Sequence, residues 1–137
     1  MCGITGYISK DKVANKHEVI KMANALSERG PDSSGYWCDK KLGIALAHRR
    51  LSIIDTSKAG HQPMISKNKR YTISFNGEIY NFRELKKELH SSGYNFSWKG
   101  HSDTEVLLAQ IQIYGILETL KKINGMFAIS IWDAETR

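Results

Sequence analysis

The first residues, MCGITGYISK (1–10), place a cysteine directly behind Met1 at the head of an apolar stretch. Residues 2–9 predict a β-strand. Cys2 then has two interpretations. Cysteine packs as a small hydrophobic residue, so Cys2 can simply begin an edge strand. Alternatively, removal of Met1 makes Cys2 the N-terminal residue, which carries a nucleophilic thiol and a basic amine on one residue. Position alone does not decide between them, so the rest of the chain has to.

The rest of the chain predicts strands first, then helices, then a final strand. Strands are predicted at residues 35–37, 42–47, 51–54, 71–75 and 126–132, and helices at residues 17–28, 82–92, 103–114 and 116–122. Asn76-Gly77 and Asn124-Gly125 predict turns, and residues 56–68 a loop. This order favours a layered α+β fold, in which helices pack on antiparallel sheets. Residues 132–137 are typical of a hairpin turn without its second strand, so we expect a piece of a longer protein.

Composition excludes several classes of protein. The 137 residues suggest one domain, and no apolar run approaches the length that a membrane span needs. The first residues do not form a signal peptide, and two cysteines make no disulfide framework, so we expect a cytoplasmic protein with free thiols. The net charge is +6, but the basic residues are spread along the chain. Nucleic-acid binding is therefore not expected, and no Cys/His spacing predicts a metal site.

Four polar motifs stand out beside Cys2. They are Arg-Gly-Pro-Asp (29–32), Arg-Leu-Ser-Ile-Ile-Asp (50–55), Asn-Gly-Glu-Ile-Tyr-Asn (76–81) and Ser-Asp-Thr-Glu (102–105). Taken one at a time, each has a structural explanation, such as a helix stop, a turn or an N-terminal capping box. The combination of the four motifs, in this order along the chain, points to one kind of protein much more specifically than any single motif does.

Together these motifs resemble the glutaminase domain of glutamine-hydrolysing asparagine synthetases, which are class II glutamine amidotransferases and N-terminal nucleophile hydrolases. The resemblance runs from Met1 to about Asp133. It implies a four-layer αββα sandwich of two antiparallel sheets. It also implies one glutamine amidotransferase domain over residues 1–137, incomplete at its C-terminus and lacking the synthetase domain.

The resemblance implies a role for each motif. Cys2 becomes the N-terminal nucleophile that attacks L-glutamine, and Asn76 and Gly77 stabilise the oxyanion. The carboxylate of the substrate is bound by Arg50 rather than Arg49. Its ammonium group is bound by Glu78 and Asp103. Backbone groups of the stretch after Arg50 complete the substrate site, namely those of Leu51, Ser52, Ile53 and Ile54.

The resemblance also implies partners. This domain needs no metal or cofactor, whereas ATP and Mg²⁺ belong to the synthetase domain that would receive its ammonia and amidate aspartate. A homodimer is compatible with it. Two alternatives stay open: an ammonia acceptor from a sugar or polysaccharide pathway, and a non-catalytic interaction module. Cys38, His48 and His61 are expected to be structural or loop residues.

Overall fold

The computed structural model describes residues 1–11 and 13–137, and within them two antiparallel sheets and four α-helices form the fold. In chain order the elements are β1 (Gly3–Ile8), α1 (Lys16–Asn24), β2 (Ser33–Asp39), β3 (Ile44–Arg50), β4 (Met64–Ile65), β5 (Tyr71–Ile79), α2 (Phe82–Ser91), α3 (Asp103–Tyr114), α4 (Ile116–Lys122) and β6 (Gly125–Asp133). Among these residues, no helix has the length and apolar character to cross a membrane.

The first sheet has the strand order β1-β3-β2, and α1 packs on one of its faces. Val19 and Ala23 of α1 are buried against Ala45 and Ala47 of β3. These small side chains on the strand allow the helix to lie close to the sheet. Between the strands, a Cβ atom at Gly6 would lie 2.6 Å from the carbonyl oxygen of Ala45, so β1 needs a glycine there.

The second sheet has the order β4-β5-β6, and α2 and α3 pack on its outer side. Ile73 and Phe75 of β5 share a buried apolar cluster with Leu107 and Ile111 of α3. The two sheets face each other, with β1 and β3 in contact with β5. The layers therefore run helix, sheet, sheet, helix, and the predicted α+β sandwich of two antiparallel sheets is confirmed.

Asn76-Gly77 does not form the predicted turn, because it lies inside β5. The two residues pair with Ala128 and Phe127 of β6. Gly77 has φ = 157°, and a Cβ atom there would lie 2.3 Å from the carbonyl oxygen of Met126. The glycine is needed for the close approach of β6 rather than for a change of chain direction.

Three other predicted elements differ from the structure. Met64–Ile65 forms the short strand β4 inside the predicted loop of residues 56–68. Residues 51–54 form an irregular loop instead of a strand, since β3 ends at Arg50 and the next two amides bond outside any sheet. Leu51 N–H donates to Cys2 Sγ at 3.3 Å, and Ser52 N–H donates to Asp32 Oδ2 at 2.7 Å. Helix α1 ends at Asn24 rather than at residue 28. Beyond it, Leu26 N–H donates to the carbonyl of Ala23, three residues earlier, so the apolar period continues through tight turns.

Candidate active site

A cavity of about 230 Å³ opens where the end of β3, the middle of β5 and the start of α3 meet. Most of the residues predicted from the sequence line this cavity: Cys2, Arg50, Leu51, Ile53, Ile54, Asn76, Gly77, Glu78 and Asp103. Ser52 is the exception, because its backbone amide is held outside the cavity by Asp32. The sequence motifs, up to 101 positions apart in the chain (103 against 2), are thus brought together in one place.

Cys2 is fixed at the cavity wall by its neighbours. Its half-buried Sγ accepts a hydrogen bond from Leu51 N–H at 3.3 Å and lies 3.5 Å from the carbonyl oxygen of Leu51. Arg29 Nε donates to the carbonyl oxygen of Cys2 at 3.2 Å. The loop that was predicted as a strand therefore supplies a donor to the thiol.

Arg50 presents a buried guanidinium to the cavity. One terminal nitrogen donates to the carbonyl oxygen of Ser57 at 2.7 Å, and the other donates to the carbonyl oxygen of Asp55. Gly60 packs flat on this group, where any side chain would collide with it. A guanidinium has five N–H donors, so three are left for a ligand. Arg49 is held elsewhere, since its Nε donates to the carbonyl oxygen of Gly30 at 3.0 Å.

Two carboxylates also line the cavity, and their surroundings differ. Glu78 is exposed on β5, whereas Asp103 is only 4% exposed. Asp103 accepts hydrogen bonds from Ile79 N–H at 2.9 Å and from Thr104 N–H at 2.7 Å. Burial raises the pKa of Asp103, and these donors act against that rise. Asp103 thus ties α3 to the end of β5 and keeps little free acceptor capacity, while Glu78 accepts no hydrogen bond from residues 1–11 or 13–137.

The start of α3 is capped much as the sequence predicts. Ser102 is the N-cap, and its hydroxyl accepts from Glu105 N–H at 3.2 Å. The Glu105 carboxylate, however, accepts from the backbone amides of Lys99 and Gly100 instead of closing the box on Ser102. The glutamate therefore orders the loop before the helix.

Further polar residues that were assigned no role from the sequence also line the cavity, among them Asp55, Gln62 and Thr104. Asp55 accepts from Ser57 N–H and His101 N–H, each at 2.8 Å. The Ser57 hydroxyl, followed by the His101 amide, holds the pKa of Asp55 below its ordinary value. Gln62 and Thr104 lie within 3.5 Å of each other on the cavity wall. Asp55 and Thr104 could have been suspected, because they belong to motifs that were singled out. Gln62 could not, because it lies in a stretch predicted only as a loop.

Within residues 1–11 and 13–137, no three His, Cys, Asp or Glu side chains are grouped so as to hold a metal ion. The absence of a cofactor from this domain remains a prediction.

An αββα sandwich with a cysteine at the head of its first strand defines the architecture of the N-terminal nucleophile hydrolases. The family described as "Glutamine amidotransferase domain" matches residues 1–137. The chain belongs to this family.

Individual relatives support the same assignment. The chain is 45% identical to "Asparagine synthetase [glutamine-hydrolyzing] 1" of Bacillus subtilis, over 97% of this chain and 21% of the relative. It is 37% identical to "Asparagine synthetase B [glutamine-hydrolyzing]" of Escherichia coli, over 98% of this chain and 24% of the relative. The chain thus spans about one fifth of the length of the curated relatives that it matches.

A solved structure shows the same fold. It is the glutamine phosphoribosylpyrophosphate (PRPP) amidotransferase from B. subtilis complexed with ADP and GMP, with a TM-score of 0.53 and 28% sequence identity. The match covers 66% of this chain and 21% of that one.

Proposed function

We propose that this domain hydrolyses L-glutamine to glutamate and ammonia through a thioester on Cys2. One observation carries the proposal: the Cys2 thiol, the Arg50 guanidinium, the Asn76-Gly77 pair and the Asp103 carboxylate line one cavity. These are a nucleophile, a carboxylate anchor, two oxyanion donors and an ammonium anchor. Family membership and the names of the relatives agree with this chemistry.

Before the reaction can take place, Met1 has to be removed, which frees the α-amine of Cys2. A free α-amine has a pKa of about 7.7 to 8.0, close to the value of about 8.5 for an ordinary thiol. The amine can therefore take the thiol proton near neutral pH, directly or through a water molecule. While Met1 is attached, this nitrogen is an amide and cannot act as a base. The Leu51 backbone holds Sγ at the cavity wall, where the thiol can face the substrate.

The thiolate then attacks the side-chain carbonyl carbon of glutamine, and the carbonyl oxygen becomes an oxyanion. We assign its stabilisation to the side-chain amide of Asn76 and the backbone N–H of Gly77. Donors directed at a developing oxyanion are each worth about 2.7 to 4 kcal/mol. The proton held by the α-amine passes to the leaving nitrogen, the C–N bond breaks, and ammonia departs. Water then hydrolyses the thioester, which releases glutamate and restores the thiol.

The two ends of the substrate amino acid have separate anchors in this proposal. Arg50 offers three N–H donors that its bonds to Ser57 and Asp55 leave over, which is enough for a bidentate pair with the substrate carboxylate. The substrate ammonium faces Glu78 and Asp103. Glu78 contributes the larger share, because Asp103 already accepts hydrogen bonds from Ile79 and Thr104. Backbone groups of Leu51, Ile53 and Ile54 close the site.

We place the domain at the head of a longer enzyme that makes asparagine. The relatives are named for glutamine-hydrolysing asparagine synthesis, and this chain spans about one fifth of their length. In this proposal, ammonia passes to a synthetase domain that uses ATP and Mg²⁺ to amidate aspartate in the cytoplasm, and the glutaminase domain itself needs no cofactor. Asparagine formed by the whole enzyme from aspartate, ATP and ¹⁵N-amide glutamine should carry the label. Label transferred only to another acceptor would replace this part of the proposal.

The glutaminase chemistry is tested by intact mass. Protein from which Met1 has been removed is incubated with a diazo-ketone analogue of glutamine, which alkylates a competent thiol. We expect one adduct, lost in Cys2→Ala and kept in Cys38→Ala. Cys38 is a matched control, because it is also half-buried; it lies in β2, and burial raises its pKa. An adduct that survives in Cys2→Ala, or processed protein that takes none, would contradict the proposal.

A further inference from the structure

Phe75, just before the Asn76-Gly77 pair, lies opposite Ile129 of β6 on one edge of β5, but its N–H and C=O are held by side chains. On the other edge of β5, β4 pairs only as far as Ile73, which lies opposite Met64. Continuing the same register would place Gln62 opposite Phe75. The chain has left the sheet by that point, so Phe75 lies beyond the last backbone pair on that edge.

Gln62 fills the missing place with its side chain. Its Oε1 accepts a hydrogen bond from Phe75 N–H at 2.6 Å, and the residue is only 6% exposed. Its Nε2 lies 3.5 Å from Thr104 Oγ1, which in turn donates to Asp103 Oδ1 at 3.3 Å. One carboxamide thus connects the strand of the oxyanion pair with the start of α3, where Asp103 lies.

The carbonyl of Phe75 is held from the facing sheet. His48 Nε2 lies 3.0 Å from this oxygen, and since a carbonyl can only accept, the imidazole donates. That carbonyl and the N–H of Asn76 belong to one planar peptide group. Fixing the N–H of Phe75 through Gln62 and its C=O through His48 therefore fixes the backbone that carries the Asn76 side chain.

We propose that Gln62 is a positioning residue: through Phe75 N–H it sets the place of the Asn76-Gly77 oxyanion donors, and through Thr104 it aligns them with Asp103. The inference rests on the glutaminase function proposed above. Because oxyanion donors act on the transition state, loosening them lowers kcat and leaves KM nearly unchanged. A displacement of about 1 Å can cost up to about 100-fold in rate. We expect a fall in kcat of about tenfold in Gln62→Met, with KM within about twofold.

The matched control is Gln110→Met on α3. Gln110 is fully buried and its Nε2 donates to the carbonyl oxygen of Leu85 at 2.9 Å, but it does not line the cavity. The Gln110→Met substitution therefore also removes one buried hydrogen bond, but one that has no connection to Phe75. We expect Gln110→Met to keep wild-type kcat and KM. A second variant, Gln62→Asn, keeps the carboxamide but is one methylene too short, so it should behave like Gln62→Met.

A double-mutant cycle separates positioning from direct contact. In an Asn76→Ala background, Gln62→Met should cost much less than its tenfold effect, because the donor that it positions is already gone. Equal effects in both backgrounds, a rise in KM as large as the fall in kcat, or full activity in Gln62→Asn would each overturn the inference. The last two results would indicate that Gln62 only contacts substrate or contributes polarity.

A measurement that does not depend on catalysis tests the positioning role of Gln62 separately from the proposed function. In wild-type protein, NMR should show a scalar coupling across the hydrogen bond between the Phe75 amide and the Gln62 side-chain carbonyl carbon. Phe75 N–H should also exchange with solvent faster in Gln62→Met than in Gln110→Met. No coupling and equal exchange would overturn the inference whatever the activity. A wild-type enzyme that releases no ammonia but shows the coupling would instead contradict the function.

Discussion

His48 should make the stability of this domain fall as the pH falls from 6.5 to about 4. The side chain is only 1% exposed, and burial lowers its pKa from 6.5 to about 4, with Arg50 and His61 adding to that effect. Between these two values the unfolded chain binds a proton that the folded chain does not, so acid favours unfolding. Above pH 6.5 His48 is neutral in both the folded and the unfolded chain, and its full contribution to the free energy of unfolding is present. From pH 7.5 to pH 5 the free energy of unfolding should fall by about 2 kcal/mol on account of His48.

The assay is urea unfolding at several pH values for three proteins: wild type, His48→Gln and His90→Gln. Glutamine does not titrate but can still donate to the Phe75 carbonyl that His48 contacts. The free energy of unfolding of His48→Gln should lie below that of the wild type at pH 7.5, and the gap should narrow by about 2 kcal/mol at pH 5. His90, on the exposed side of α2, is the matched control, and its variant should keep the wild-type pH dependence. A gap for His48→Gln that is independent of pH would refute the reasoning.

Two substitutions test the close contacts of the site. Gly77→Ala should lower the free energy of unfolding by about 3 kcal/mol in urea titrations, because its Cβ would lie 2.3 Å from the carbonyl oxygen of Met126. Gly93→Ala, with φ = 83° but open space around it, should lose only about 1 to 2 kcal/mol, and equal losses would contradict the steric argument. Arg50→Lys should raise KM for glutamine at least about tenfold in steady-state ammonia release, since lysine cannot form a bidentate pair. Arg49→Lys should leave KM unchanged, and a similar rise in both variants would show that the two arginines were assigned wrongly.

Much of the fold could be predicted because its signals are local. The helical spacing of Phe82, Leu85 and Leu89 predicted α2, and Ser102 with Gly115 marked the ends of α3. Hydrophobic period and capping chemistry act within a turn or two of the chain, so one sequence is enough to detect them. The lining of the cavity was likewise anticipated from motifs, although Ser52 turned out to lie outside it.

The sequence by itself determined the layered class of fold, the family resemblance and the identity of the residues around Cys2. Only the tertiary structure decided that Asn76-Gly77 lies inside a strand, and that Gln62 and His48 hold the peptide before it. These contacts join residues 13 and 27 positions apart, between elements that no local pattern connects. A segment becomes a strand only when it pairs with its neighbour, and a buried amide needs a hydrogen-bond partner only because the fold has removed it from water. An unpaired polar group costs free energy once it is buried, so both requirements arise from the tertiary structure.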